Sequence, residues 1–457
     1  MHRFIGLAGI VAFIALAYAM SHKRSAIHWR TVAWGLALQW IFALVVLKGG
    51  SISGLLSFLP FPRGMGWFVL FLMFLPAILR RFASYESHTL NWTLFGVIVL
   101  GLLRGDLVGS TFDRMRIVVE HLMEYAHDGA SFVFGGLSDG PASKVGMVFA
   151  FAVLPTIIFV ASIFAVLYYL GVMQWVVGAA ARAMGRFLKV SGAESVSVAS
   201  SILMGQTEAP LTIRPFLSRM TRSELMLIMT AGMAHVSGSI MVAYVQVAHV
   251  DIVHLLTAVI MTAPGAVMMA KILEPETETP ETAGEVKVDI PNHDANVLDA
   301  AARGASEGGQ LAFNVAVMLI AFIALIALIN GLMRAVHPGF SLEGILGWIF
   351  KVPAFLMGVS WSEAGQVGAL LGKRMVVNEF VAFLDLGRMT QLSAHARLIS
   401  TFALCGFANF SSIAIQVGGI GALAPERRGD LARLGVRAMI AGTLANFLSA
   451  CIAGILT

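Results

Sequence analysis

Hydrophobic residues in this chain run in long blocks instead of alternating with polar ones. Seven blocks, 4–20, 31–48, 147–170, 224–247, 252–271, 311–333 and 431–453, have the length of about 17 to 25 residues that a helix needs to cross a hydrocarbon layer. Two shorter stretches, 64–79 and 91–103, are flanked by Arg80, Arg81 and Arg104 and are ambiguous between spans, interfacial segments and re-entrant ones. Residues 112–130 place Phe112, Met115, Ile117, Val118, Leu122 and Met123 among charges. This pattern predicts an amphipathic helix along the membrane surface, with a helix packed on the bundle as the alternative. Residues 272–303 are acidic and proline-containing, which predicts a solvent-exposed connection between two hydrophobic halves. The expected division is 1–130, 131–271, 272–303 and 304–457.

The informative segments are those that fail as simple spans. Segment 188–219 mixes Ser, Gly, Pro, Gln and Glu with apolar residues, and 341–390 has the same character, with Pro353, Gly358, Glu363, Gln366, Asn378 and Glu379. Irregular backbone at membrane depth persists only where protein or a water-filled cavity surrounds it. One such segment per half predicts an all-α polytopic membrane protein with internal repeats and two re-entrant hairpins, the plan secondary transporters use to build a central site. A third polar cluster, CGFANFSSIAIQVGG at 405–419, interrupts what is otherwise a span over about 396–422.

Composition narrows the class. Of 457 residues, 58% are hydrophobic and only 12% charged, too few charges to cover a water-soluble surface. The net charge of +5 is spread over short inter-helix segments, so nucleic-acid binding has no footprint. Cys405 and Cys451 lie inside hydrophobic segments and are expected as free thiols. No HExxH, CxxC or Walker pattern appears, so neither a metal site nor a cofactor nor ATP drive is expected. The N-terminal run is long, lacks a clear cleavage site and is followed at once by another span, which favours a first transmembrane helix over a signal peptide.

Within these apolar surroundings Glu208 and Glu379 stand out, because a carboxylate at membrane depth must be paired, solvated or protonated. Each is a site candidate, with a hydrogen bond inside its hairpin as the alternative. Gln206 and Thr207 beside Glu208 offer donors and acceptors suited to the edge of a heterocyclic base, or to capping the hairpin tip. Asn409 and Ser412, three apart, share a face if the local backbone is helical and could then jointly hold hydroxyl groups. Ser411 and Gln416 are expected as inter-helix glue. Phe407 suits either a sugar edge or the core. His235 could bond a neighbouring helix, yet it is also the best-placed proton carrier.

These residues sit in text that resembles the concentrative nucleoside transporter family: WGLALQW at 34–40, SFVFGG at 131–136, FAVLPTIIFVASIFAVLYYLGVMQWVV at 151–177, GQTEAPLTIRPFL at 205–217, AGMAHVSGSIMVAYV at 231–245, SEAGQVGALLGKRMVVNEFVAF at 362–383 and the cluster at 405–419. The resemblance implies a homotrimer in the cell membrane, the inner membrane in a Gram-negative bacterium. Each protomer would have a scaffold and a mobile transport domain, with helices broken near 224–247 and 396–422, and would move nucleosides such as uridine, cytidine or adenosine by cation symport. It implies that Gln206, Thr207 and Glu208 address the nucleobase, that Glu379, Asn409 and Ser412 hold the ribose, and that Phe407 lines the pocket. Sodium-driven members carry Asn and Ser or Thr where this chain has Ser201 and His235. With Val236 beside it, His235 therefore suggests proton coupling, sodium being the alternative and Glu208 and Glu379 competing proton carriers. A nucleobase transporter and a nucleoside-gated channel or sensor are the other readings. No nucleophile and base with credible spacing point to an enzyme.

Overall fold

The computed structural model describes residues 4–49, 51, 107–139, 148–283 and 294–457. The short stretches 64–79 and 91–103 lie outside them. Every regular element among the described residues is helical. Among the described residues six helical stretches are long and apolar enough to cross a membrane: Trp29–Leu47, Phe149–Tyr169, Arg222–Ala248, Ile252–Leu273, Val297–Val336 and Pro425–Leu456.

Two apolar helices, α1 (Ile5–Ala19) and α2 (Trp29–Leu47), precede α3 (Leu107–Phe134), which contains the expected amphipathic stretch. From there the chain says everything twice. The first half runs α4 (Leu154–Tyr169), α5 (Val172–Leu188), α6 (Gly192–Ser201), a 3-10 arm (Ala209–Arg219), α7 (Arg222–Ala234), α8 (Gly238–Ala248) and α9 (Ile252–Leu273). The second runs α10 (Val297–Val336), α11 (Leu342–Leu356), α12 (Ala364–Val376), α13 (Glu379–Arg388), α14 (Ala394–Leu404), α15 (Phe410–Leu423) and α16 (Arg428–Leu456).

Packing follows the repeat. The first helices of the halves, α4 and α10, pair with each other, as do the last, α9 and α16. The returning arm of each hairpin packs on the other half's second half-helix, the 3-10 arm on α15 and α13 on α8. Burial separates centre from periphery: 89% of the apolar window in Arg222–Ala248 is buried, against 12% in Val297–Val336. The broken helices thus form the interior, and α10 turns most of its surface outward, as a lipid-facing or subunit-facing helix must.

Several expected boundaries move. The polar connection 272–303 is shorter than its composition suggests, because Asn296 caps α10 with its Oδ1 accepting from the Leu298 and Asp299 amides. That cap draws 297–303 into the helix. Glu274 and Thr282 are also buried, so the connection is not wholly exposed. In 341–390 only α12 and α13 form the hairpin, while α11 is the counterpart of α5. Proline explains the asymmetry of the hairpins: Pro210 and Pro215 lie in the 3-10 arm, where each lacks the amide that an α-helix interior needs.

At the hairpin roots, carboxylates fasten the entering arm to the following half-helix. Ser191 and Glu194 form a capping box on α6, Thr221 and Glu224 a second on α7, and Ser191 Oγ joins the two by donating to Glu224 Oε1 at 2.6 Å. In the second half Glu363 accepts from Ser360 Oγ (2.7 Å) and from the amide and hydroxyl of Ser393, the α14 cap (2.6 and 3.1 Å).

Candidate functional site

Breaking a helix inside a membrane frees carbonyls at one end and amides at the other, and all must find partners. The first break is extended and enclosed; the second turns tightly, the Gly406 amide donating to Leu404 O (2.8 Å), and leaves Phe407 half-buried. His235 follows α7 at φ −107°, ψ 163°, and residues 405–409 separate α14 from α15. Two buried side chains take up the exposed carbonyls. Asn446, midway along α16, donates through Nδ2 to Ala234 O (2.9 Å) and Cys405 O (3.0 Å), one from each break. Arg374, at the end of α12 and 1% exposed, donates to Ala403 O (2.6 Å), Gly406 O (3.1 Å) and Asn446 Oδ1 (2.5 Å). Glycine is required at 406, since a Cβ there would lie 2.5 Å from Asn446 Oδ1 and 2.7 Å from Ala234 O.

Where the breaks meet, the N-termini of α13 and α15 converge, and their free amides and positive dipole ends favour anionic and oxygen-rich groups. Asn378 caps α13 by accepting from the Val381 amide (2.9 Å), and Glu379 begins that helix. Asn409 caps α15, its Oδ1 accepting from the Ser412 amide (2.8 Å) and from Ser411 Oγ (2.7 Å). Asn409 Nδ2 then donates to Glu379 Oε2 (3.3 Å), and Tyr244 of α8 donates to Glu379 Oε1 (3.0 Å). The Tyr244 ring is itself fixed by stacking on Phe383 at 4.4 Å between centroids. From the first hairpin, Gln206 Nε2 reaches Ser412 Oγ at 3.1 Å. The result is one run of hydrogen bonds from α8 through Glu379, Asn409 and Ser412 to the hairpin tip. It is preorganised to receive groups that both donate and accept, such as hydroxyls.

Comparison with known proteins identifies the family of the chain. The family description "Na+ dependent nucleoside transporter C-terminus" matches residues 254–454, its N-terminal counterpart matches 8–60, and a "Nucleoside recognition" gate description matches 150–250. Over 98% of its length the chain is 41% identical to the uncharacterized transporter YutK of Bacillus subtilis, covering 98% of that protein. It is 35% identical over 99% of its length to sodium/nucleoside cotransporter 1 of Rattus norvegicus, of which it covers 64%. A structure of CNTnw in an inward-facing substrate-bound state matches with a TM-score of 0.82 at 38% identity, over 100% of this chain and 98% of that one. The chain belongs to the concentrative nucleoside transporter family.

As a member of that family it is a multi-pass membrane transporter and not an enzyme. A CNTnw variant in an outward-facing state matches with the same TM-score, 0.82, so the overall fold is common to both states.

Of the residues singled out in the sequence, Gln206, Glu379, Asn409 and Ser412 are joined in the hydrogen-bonded run. Asn409 is the cap of α15 and Ser412 lies in its first turn, so the cap geometry relates them, side chain to amide. Thr207 and Glu208 are exposed at the hairpin tip, and Glu208 turns its Oε2 back to the Gly205 amide (3.1 Å). Phe407 is half-buried, and its amide donates to His235 O (3.3 Å). Ser201, His235 and Val236 are all fully enclosed. Ser201 Oγ donates to Ser197 O of its own helix (2.9 Å).

Tyr244, Arg374 and Asn446 were not singled out beforehand. Asn446 could have been, as an amide in mid-span of an otherwise apolar helix. Arg374 carried no such signal, because it follows Lys373 in the stretch GKRM and reads as one of a pair of loop charges.

Proposed function

We propose that this chain takes up nucleosides such as uridine, cytidine or adenosine across the cell membrane by proton symport, as a homotrimer whose hairpins and broken helices move as a unit against α4, α5, α10 and α11. The 35% identity to a protein named as a sodium/nucleoside cotransporter supports the substrate class. In this reading Glu379, Asn409 and Ser412 hold the ribose, because vicinal hydroxyls can donate to a carboxylate while accepting from an amide. Phe407 packs on the sugar edge, and Gln206, Thr207 and Glu208 address the base. A free nucleobase would leave the first set without a partner, which costs binding energy.

One observation carries the choice of proton. The His235 ring lies against two backbone carbonyls, with Nδ1 2.7 Å from Ala231 O and the Val259 carbonyl also beside it. Carbonyls only accept, so Nδ1 carries a hydrogen, while Nε2 is buried without a hydrogen-bond partner. A second proton would go on Nε2, the ring nitrogen left without a partner, and would charge the ring. The sodium reading is favoured by the family description and by the oxygen ligands sodium takes, but Ser201 Oγ is engaged with Ser197 O and position 235 supplies nitrogen. Ser201 and Val236 would then shape the pocket around His235 without binding an ion.

Radiolabelled uridine uptake into proteoliposomes, with proton and sodium gradients imposed separately, tests this. Accumulation on a proton gradient alone is expected, lost in His235→Ala while uridine binding is retained. Accumulation that requires sodium would overturn the proton assignment, and no accumulation under either gradient would return the chain to a channel or sensor.

A further inference from the structure

We propose that Gln416 is a specificity-determining residue: by fixing which end of the Gln206 amide faces substrate, it makes Gln206 a hydrogen-bond donor and selects bases that present an acceptor there. This rests on the reading that Gln206 faces the nucleobase.

Gln416 lies in α15 and is fully buried. Its Nε2 donates to two oxygens at 3.2 Å each, Met229 O in the backbone of α7 and Oε1 of Gln206 at the hairpin tip. An amide side chain can usually be turned end for end with little change in shape. Here the Met229 carbonyl decides the matter, because a backbone oxygen cannot donate. Reversing Gln416 would set its own oxygen against two others.

The fixed polarity passes to Gln206. With its oxygen turned toward Gln416, Gln206 presents its N–H groups on the other side, and one goes to Ser412 Oγ (3.1 Å). The second N–H remains for substrate. Ser412, having accepted from Gln206, is left with its hydroxyl proton to donate. The site therefore meets the base with N–H and matches a carbonyl oxygen or an unprotonated ring nitrogen; an amino group or ring N–H at that position would oppose donor to donor.

Two further observations separate this role from ordinary helix adhesion. Contact between α15 and α7 alone would be satisfied by the Met229 bond, whereas Gln416 also spans to the opposite half's hairpin. Position 232 is glycine, and a Cβ there would lie 2.6 Å from Gln416 Nε2 and 3.2 Å from Gln206 Cβ. The backbone of α7 is bare where the amide pair leans on it.

The test measures binding of uridine, 2-thiouridine, 4-thiouridine, cytidine and 3′-deoxyuridine to purified full-length protein by competition. Thio-substitution weakens one base acceptor at a time. In the wild type at least one of 2-thiouridine, 4-thiouridine and cytidine should bind about tenfold more weakly than uridine, the size of a specific polar mismatch. Gln416→Leu should shrink that spread about threefold or more while leaving the 3′-deoxy penalty unchanged. Gln416→Met, which keeps the length and loses both polar atoms, serves if the leucine variant does not fold. A fall of all five affinities by one common factor, or no change, would reduce Gln416 to packing and overturn the proposal. Gln206→Ala separates the premise: if it leaves the spread intact, Gln206 does not read the base and that reading fails whatever Gln416 does.

Discussion

The two hairpin tips occupy equivalent places in the repeat and are built in opposite ways. The second tip is a two-residue turn, Val377 and Asn378, after which Glu379 enters a helix 6% exposed, held by Tyr244 and Asn409. The first tip is a seven-residue bend from Ile202 to Glu208, returning through a proline-bearing 3-10 arm, with Thr207 and Glu208 exposed and Gln206 half-buried. One side of the site is thus rigid and presents a fixed carboxylate; the other is open, with a polar pair whose orientation depends on a neighbour. The sugar common to all nucleosides suits the first kind of surface, and the variable base suits the second. Preorganisation concentrates binding energy where the ligand never changes.

The largest expected effect breaks this comparison directly. Glu379→Gln keeps the shape but replaces an acceptor-only carboxylate that two side chains already address. A charged hydrogen-bonding group is worth about 1.5–3 kcal/mol for each bond it makes, so uridine affinity should fall about 100-fold or more, as read by competition binding. Gln206→Ala should cost about tenfold at most, since the tip can readjust. A greater loss at Gln206 than at Glu379 would invert the assignment of rigid and adaptable sides.

The next effect concerns stability. Arg374 and Asn446 tie the free carbonyls of both breaks into one junction beneath the rigid side. Arg374→Leu leaves Asn446 Oδ1 and the Ala403 and Gly406 carbonyls without their donor, a loss of about 3 kcal/mol or more for a buried charged network. Thermal unfolding in detergent should show it as a marked drop, only partly relieved in Arg374→Lys, which brings one nitrogen where three bonds are made. An unchanged melting temperature would mean that the breaks hold without the junction.

The legibility of the molecule divides along similar lines. Long apolar blocks announced most of the spans, and the polar interruptions at 188–219 and 341–390 announced the hairpins, because hydropathy responds to solvent. The same signal cannot show that α11 lies outside the second hairpin, nor that Asn296 starts α10 within a polar run, since those outcomes depend on capping and on the partner helix. Glu379, Asn409 and Ser412 were visible as polar residues in apolar text. Their relation to one another was not: it depends on two breaks meeting, which brings residues from positions 206 to 412 into one hydrogen-bonded run. Arg374 was hidden for the opposite reason, as a charge in a stretch where charges are ordinary. Gln416 was visible, but its bond to Gln206 exists only across the repeat.

The smallest expected difference lies at the hairpin roots, where the contrast between halves is one of burial. Ser191 and Glu224 are buried, at 4% and 1% exposure, whereas the Glu363 and Ser393 pairing is exposed. Ser191→Ala removes an N-cap acceptor and leaves Glu224 Oε1 without a donor in an enclosed place, so it should cost about 1–2 kcal/mol. Ser393→Ala also removes a cap, but water can replace its bond to Glu363, and the cost should be nearer 0.5–1 kcal/mol, about the lower end for an N-cap. Hydrogen exchange over 192–201 and 364–376 resolves the two, because each hairpin arm reports opening at its own root. Faster exchange in the first arm of Ser191→Ala than in the second arm of Ser393→Ala is the expected order. The reverse order would show that the first hairpin is held by Lys271, whose Nζ lies 2.5 Å from Glu194 Oε1, and that the linked capping boxes contribute little to its anchoring.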